Sequence, residues 1–201
     1  DAPSAVSSED RQKLAALGYV GTQTSAPRQD AGGARPDPKD KVGVLRQYKR
    51  ATELAAAGRT DEAIDAYRRL LAGEPGMHDV WLQLADLYER RGRLARALAA
   101  YRESIARHPK NPAALTGAAA LLLRLGRLDE ARAHAELAVD VAASTAHQLL
   151  ARIAIEAGDA GAARRQAALA ARADPSLPMP AFVEGLLFHR QAQYAAAVPH
   201  F

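Results

Sequence analysis

The chain is 201 residues long, 48% hydrophobic and 25% charged, with a formal net charge of +4 and no cysteine. Without cysteine it holds no disulfide framework, zinc–thiolate centre or cysteine nucleophile, and no stretch reaches the ~18 apolar residues of a membrane-spanning helix. Alanine-rich runs with a helical period, in place of strand alternation, make the expected class all-α.

Residues 1–20 are read as a short helical segment, from about Ser8 to Leu17 and stopped at Gly18, and residues 21–43 as a flexible linker rich in glycine, alanine and proline. The charged run Glu9–Lys13, the string Leu14-Ala15-Ala16-Leu17-Gly18-Tyr19-Val20-Gly21 and, after the linker, Asp37-Pro38-Lys39-Asp40-Lys41 resemble the closing segment of bacterial sulfatase-type hydrolases of the alkaline phosphatase superfamily that carry a C-terminal tail of helical repeats. The resemblance covers this short stretch only. It implies that residues 1–20 end an upstream hydrolase domain, whose absence leaves Leu14, Leu17 and Val20 without a packing partner. It also implies a metal-dependent parent acting on sulfate or phosphate esters, placed in the periplasm, the cell envelope or outside the cell; without it a cytoplasmic location is the default. The nucleophile and metal-binding aspartates of that superfamily lie well upstream of such a tail, so no residue here inherits a catalytic role. An ordinary helix ending at its C-cap glycine is the alternative reading of the same residues.

From residue 44 onward the chain repeats. Gly58, Gly92 and Gly126 recur at intervals of 34, each followed five residues later by alanine, which is the mark of stacked helix pairs that bury their apolar faces against neighbouring pairs. The second unit, 78–111, shows the phase: Trp81, Leu84, Ala85, Tyr88, Gly92, Ala97, Tyr101, Ile105 and Pro109 stand at offsets 4, 7, 8, 11, 15, 20, 24, 28 and 32. This closely resembles the tetratricopeptide repeat. Gly92 suits the link between antiparallel helices and Pro109 ends the second helix, while Ala85 and Ala97 occupy positions where helix backbones must approach.

On that template the first unit is 44–77, with Gln47 and Arg50 where larger apolar residues are usual, so its first helix is expected to pack weakly. The third, 112–143, opens on Asn111-Pro112, a capping residue followed by proline at the first helical position. It is two residues short, with the loss expected around Val141–Ser144. The fourth is 144–177, with Gly158, Ala163, Ala167 and Pro175; the fifth, 178–201, holds Gly185, Phe188 and Ala197 and stops at Phe201. Val198 and Phe201 are apolar and Pro199 costs roughly 3 kcal/mol in a helix interior, so the array is read as continuing in a longer parent. The expected fold is a right-handed α-α superhelix of four full repeats and a truncated fifth.

Offsets 2, 5, 9 and 12 of each first helix share one face, and in the tetratricopeptide family this face lines the inner curve. It selects Tyr48 and Thr52; Leu82, Asp86 and Glu89; Thr116, Ala120 and Leu123; Gln148, Arg152 and Ile155; and Phe182, Leu186 and His189. Leu82, Leu123, Ile155, Phe182 and Leu186 form the expected apolar floor, with acids toward one end and Arg152 and Arg190 toward the other. Such a strip suits an extended peptide or an amphipathic helix; packing against a neighbouring helix or the parent's linker is the alternative. Chaperone-binding members of the family clamp a peptide carboxylate with lysine, asparagine and arginine at positions that here read Tyr48, Thr52, Gln83, Ala113 and Gly117, so no chaperone carboxylate clamp is expected.

Other chemistry is argued against. Arg90, Arg91, Arg93 and Arg96 crowd one turn but alternate with Glu89 and lack interleaved aromatics, so a solvated face is preferred to nucleic-acid binding. His78, His108, His134, His147, His189 and His200 show no metal-ligand spacing, and Asp61-Glu62 and Asp129-Glu130 open second helices, where negative charge favours the helix dipole. No catalytic, metal or cofactor-binding residue is assigned. The expected function is a non-catalytic protein–protein interaction scaffold with a peptide or helix of a protein partner in the groove; the parent's own hydrolase domain is a further candidate partner, through a salt-sensitive contact. The alternative is an accessory tail of a secreted or envelope sulfatase- or phosphoesterase-type hydrolase.

Overall fold

The computed structural model describes residues 38–190, 192 and 198–200. The predicted Ser8–Leu17 helix, the linker over 21–37 and most of the fifth unit's second half lie outside them; residues 38–43, read from the sequence as the end of that linker, are instead helical, continuous with the first helix of the array. The chain divides into Asp1–Pro38 and Lys39–Phe201, and the described helices belong, Pro38 aside, to the second part.

Among the described residues there are nine α-helices and no strand: α1 (Pro38–Ala56), α2 (Thr60–Gly73), α3 (His78–Arg90), α4 (Leu94–Arg107), α5 (Pro112–Arg124), α6 (Leu128–Ala138), α7 (Ala143–Glu156), α8 (Ala160–Ala173) and α9 (Met179–Arg190), with a 3₁₀ turn at Val198–His200. Consecutive helices pack along the series from α2 to α9, and the first helices α5, α7 and α9 also touch their next-but-one neighbours. The result is an all-α helical-repeat superhelix.

Each hairpin closes on the same turn. Gly58, Gly92, Gly126 and Gly158 have φ of +73°, +66°, +71° and +79°, the left-handed region that L side chains avoid. The following residue donates back five positions, as in Arg93 N–H to Tyr88 O (2.8 Å), while the glycine itself donates to the residue three before it, Gly92 N–H to Glu89 O (2.9 Å). This Schellman pair satisfies carbonyls that the helix end would leave open. At the link between the second and third hairpins Asn111 Oδ1 accepts from Ala114 N–H at 3.0 Å with Pro112 at the first helical position, and in the turn of the fourth hairpin Asp159 Oδ1 accepts from Ala162 N–H at 2.8 Å.

Between hairpins the recurring alanines are the contact. Ala51, Ala85, Ala119 and Ala151 at offset 8, and Ala63, Ala97, Ala131 and Ala163 at offset 20, are all 0% exposed. The missing residues of the third unit come out of its second helix: α6 has 11 residues where α2, α4 and α8 have 14. Val141 and Ala142 N–H both close onto Ala138 O, and α7 begins at Ala143. Weak packing of α1 is evident: among its described side chains only Ala51 is buried, while Val42 and Leu45 are exposed.

Candidate functional site

The first-helix face is used differently along the array. In α1 the Tyr48 ring lies against Tyr67 with centroids 6.2 Å apart, and Thr52 Oγ1 donates to Tyr48 O (3.1 Å) and stands 3.0 Å from Tyr67 Oη. Both side chains are thereby spent on holding α1 to α2. In α3 Leu82 is half-buried, Asp86 accepts from Arg90 Nε at 2.8 Å, and Glu89 accepts from Tyr101 Oη at 2.9 Å and from Arg124 Nη1 at 2.6 Å. Burial, reinforced by the Glu89 carboxylate, pushes the Tyr101 hydroxyl far above the ordinary tyrosine range, so it stays a donor. In α5 Thr116 Oγ1 turns back to Pro112 O at 2.8 Å and Ala120 is half-buried against the core.

Leu123 and Ile155 are buried, at 8% and 4% exposure, so the apolar floor is narrower than offsets alone suggest. Offset 12 sits three residues before the turn glycine, and the Schellman bonds from Gly126 N–H to Leu123 O and from Gly158 N–H to Ile155 O fold the second helix back beside it.

Toward the far end the face opens. Gln148, Arg152, Ile155, Phe182, Leu186 and His189, six of the fourteen residues selected from the sequence, line one cavity of about 460 Å³ between α7 and α9. Met179, Glu156 and Arg190 complete its wall. Arg190 Nη1 donates to Ile155 O at 2.7 Å and to Glu156 Oε2 at 3.1 Å, which caps α7 from the next repeat and fixes the spacing of the two helices. Gln148 Nε2 donates to Ser144 Oγ at 3.3 Å. Arg152 is exposed and makes no ion pair among the described residues. The cavity therefore offers an apolar bottom with an uncommitted guanidinium at its edge. Its capping arginine was visible in the sequence only as a charge near one end; the signal that places it is register, since Arg190 follows the fifth unit's offset 12.

The remaining polar residues serve the stack. Of the four turn arginines, Arg90 pairs with Asp86, Arg91 and Arg93 both bind Asp61 across the hairpin boundary at 2.6 and 3.1 Å, and Arg96 lies over the Tyr88 ring at 6.0 Å. Asp61 thus bridges neighbouring units besides opening α2, and Glu130 does the same toward Arg102 (3.0 Å). His78 and His108, far apart in sequence, stack with ring centroids 4.9 Å apart, while Ser104 Oγ donates to His78 O at 3.2 Å. His134 Nδ1 is buried without a hydrogen-bond partner among the described residues; that burial, together with the Arg102 charge, lowers its pKa and favours the neutral ring. Among the described residues no group of three or more histidines and carboxylates is placed to hold a metal ion, and no helix is long and apolar enough to cross a membrane.

The turn geometry, the alanine contacts and the 34-residue period coincide with a family model described as tetratricopeptide repeat, which matches residues 48–112 and 82–147. Over 48–147 the repeats are tetratricopeptide repeats. Solved structures with the same fold include MamA from Desulfovibrio magneticus RS-1 (TM-score 0.68, 18% identity, covering 79% of this chain and 90% of that one). A tetratricopeptide repeat protein from Parabacteroides merdae (0.69, 15%, 78% and 63%) is similar too. So is YrrB, described as a tetratricopeptide repeat protein with an unusual peptide-binding site (0.64, 14%, 81% and 84%). At these identities the likeness is one of fold. No curated protein matches the chain in sequence.

Proposed function

We propose that the tetratricopeptide array is a non-catalytic scaffold that captures a peptide or helix of a protein partner on the faces of its first helices, with the α7–α9 cavity as the principal seat. The observation that carries this reading is the convergence of six side chains, chosen by repeat offset alone, on one concave site. A large apolar side chain fits over Ile155 and Leu186, and a neighbouring carboxylate meets Arg152. Peptide binding in YrrB, on the same fold, lends the reading support.

The experiment is selection of binders from a displayed peptide library on the intact chain, followed by titration of the enriched peptides against Arg152→Glu and Phe182→Ala. Both residues are exposed, so the fold should persist. Affinity should fall about tenfold or more for each, as truncated anchors and reversed charges do at peptide sites. Enriched peptides that bind both variants as tightly as the parent would remove the cavity from the mechanism. A second reading, an accessory tail of an envelope hydrolase, rests on the Leu14–Gly21 string; a sulfatase nucleophile motif and metal aspartates encoded upstream of Asp1 would carry it, and their absence there would end it.

A further inference from the structure

A second cavity, of about 500 Å³, lies between α2, α3 and α4 and shares no residue with the first-helix face described above. On α3 its Trp81, Leu84 and Tyr88 stand about 130° around the helix from Leu82, Asp86 and Glu89, at 100° per residue. The space exists because α2 and α4 present only Ala72, Ala99 and Ala100 where larger side chains would close it. Its volume falls within the range of ligand-binding clefts.

The chemistry of the rim is one-sided. Among the described residues Glu103 is the one carboxylate that lines the cavity, and it is already paired with Arg107, whose guanidinium lies 5.2 Å over the Trp81 ring. Arg96 covers the Tyr88 ring and makes no ion pair among the described residues. Arg68 meets a carboxylate only at 3.9 Å, from Asp65, with both side chains more than half exposed, a geometry of small energetic value. Two guanidiniums therefore overhang an apolar bottom of Leu71 and Leu84, Arg96 with no ion pair among the described residues and Arg68 with only the loose, exposed one to Asp65. Arginines already lie over both aromatic rings, which disfavours stacking of a nucleobase and favours an aliphatic side chain.

We infer that this cleft is a separate docking site for an acidic segment of a protein partner. One leucine-sized side chain enters between Trp81 and Tyr88 above Leu84, and flanking carboxylates set against Arg68 and Arg96. The occupant follows from charge complementarity: a basic or neutral segment would leave both guanidiniums unmatched beside an apolar insertion, whereas an acidic one pairs them at the rim, where pairing sets specificity.

Trp81 is the only tryptophan in the chain, so its emission reports directly on this cavity. The intact chain is titrated with the acetylated peptide DELLED and with its basic counterpart KKLLKK. The acidic peptide should give a saturable change in tryptophan emission that weakens with added salt, while KKLLKK gives none. Arg96→Glu should weaken binding about tenfold or more, Ala99→Phe should abolish it by filling the cleft, and Arg152→Glu in the other cavity should leave it unchanged. Absence of a saturable signal, equal responses to the two peptides, or unchanged affinity in Arg96→Glu would each overturn the assignment. Arg96 and Ala99 are exposed; circular dichroism checks that both variants fold, and if Ala99→Phe does not, Arg96→Glu decides alone.

Discussion

Tyr101 shows how one side chain can settle the packing of three helices. Its ring, from α4, fills the space left by Gly117 on α5, where an added Cβ would sit 2.5 Å from Tyr101 Cε1, and its hydroxyl is held by Glu89 of α3. One hairpin later the sizes reverse. Ala135 stands at the tyrosine's repeat position and Leu149 at the glycine's, both buried in one cluster, and Ala167 and Val183 repeat the exchange after that. Close packing demands such compensation, since neither overlap nor void is tolerated. Gly117→Ala should therefore destabilise the chain by roughly 1–3 kcal/mol through overpacking, against the ~1 kcal/mol gain that alanine brings to an ordinary helix interior. Urea denaturation of Gly117→Ala, Tyr101→Ala and the double variant forms the check. A strong coupling between the two is expected, and additive effects would show that the ring and the glycine do not meet.

At the scale of the helix and its turn, the glycine period is the most legible feature of the sequence, because backbone geometry at positive φ admits so few residues. Nothing lies within 4 Å of a Cβ added at Gly126, so Gly126→Ala tests the backbone alone: a loss of about 1–2 kcal/mol is expected from the left-handed conformation, measurable as a lowered urea midpoint with unchanged m-value. Full stability in that variant would mean that the turn can be made another way. The same periodic logic located the alanines at helix crossings and six residues that line the α7–α9 cavity, since offsets fix direction around a helix. It was less informative where neighbours decide. Leu123 and Ile155 carry the right offset yet are almost wholly buried, the Tyr48 ring lies against Tyr67, and Thr52 Oγ1 shares a hydrogen bond with the Tyr67 hydroxyl. The cleft between α2 and α4 depends on what several helices lack at once, so no single repeat announces it. The shortening of α6 rather than of the turn after it likewise follows from where Ala138 O finds its donors.

For the array as a whole, stability comes from neighbours, and neighbours are unevenly distributed. Helix α5 buries seven residues between partners on both sides, whereas α1 buries only Ala51 among its described side chains. Cross-unit links such as Arg91–Asp61, Glu89–Arg124 and Arg102–Glu130 join the first three hairpins, but their exposed geometry makes each a small term, so buried area should dominate. A repeat array behaves approximately as a one-dimensional chain of local stabilities and interfaces, and such a chain opens from its weakest end instead of all at once. Native-state hydrogen exchange should then show a gradient: amides of α5 protected close to the global unfolding free energy, those of α3 and α4 next, and those of α1 exchanging through a low-energy local opening insensitive to mild denaturant. The two cavities fall on different parts of that gradient, the α2–α4 cleft beside the helix expected to open first. Stabilising α1, for instance by Gln47→Leu at the offset that holds Trp81 in the second unit, should raise protection in α1 and α2 and leave α7–α9 unaffected. Uniform protection from α1 to α9, or a rise that spreads to every helix, would instead describe a single cooperative body.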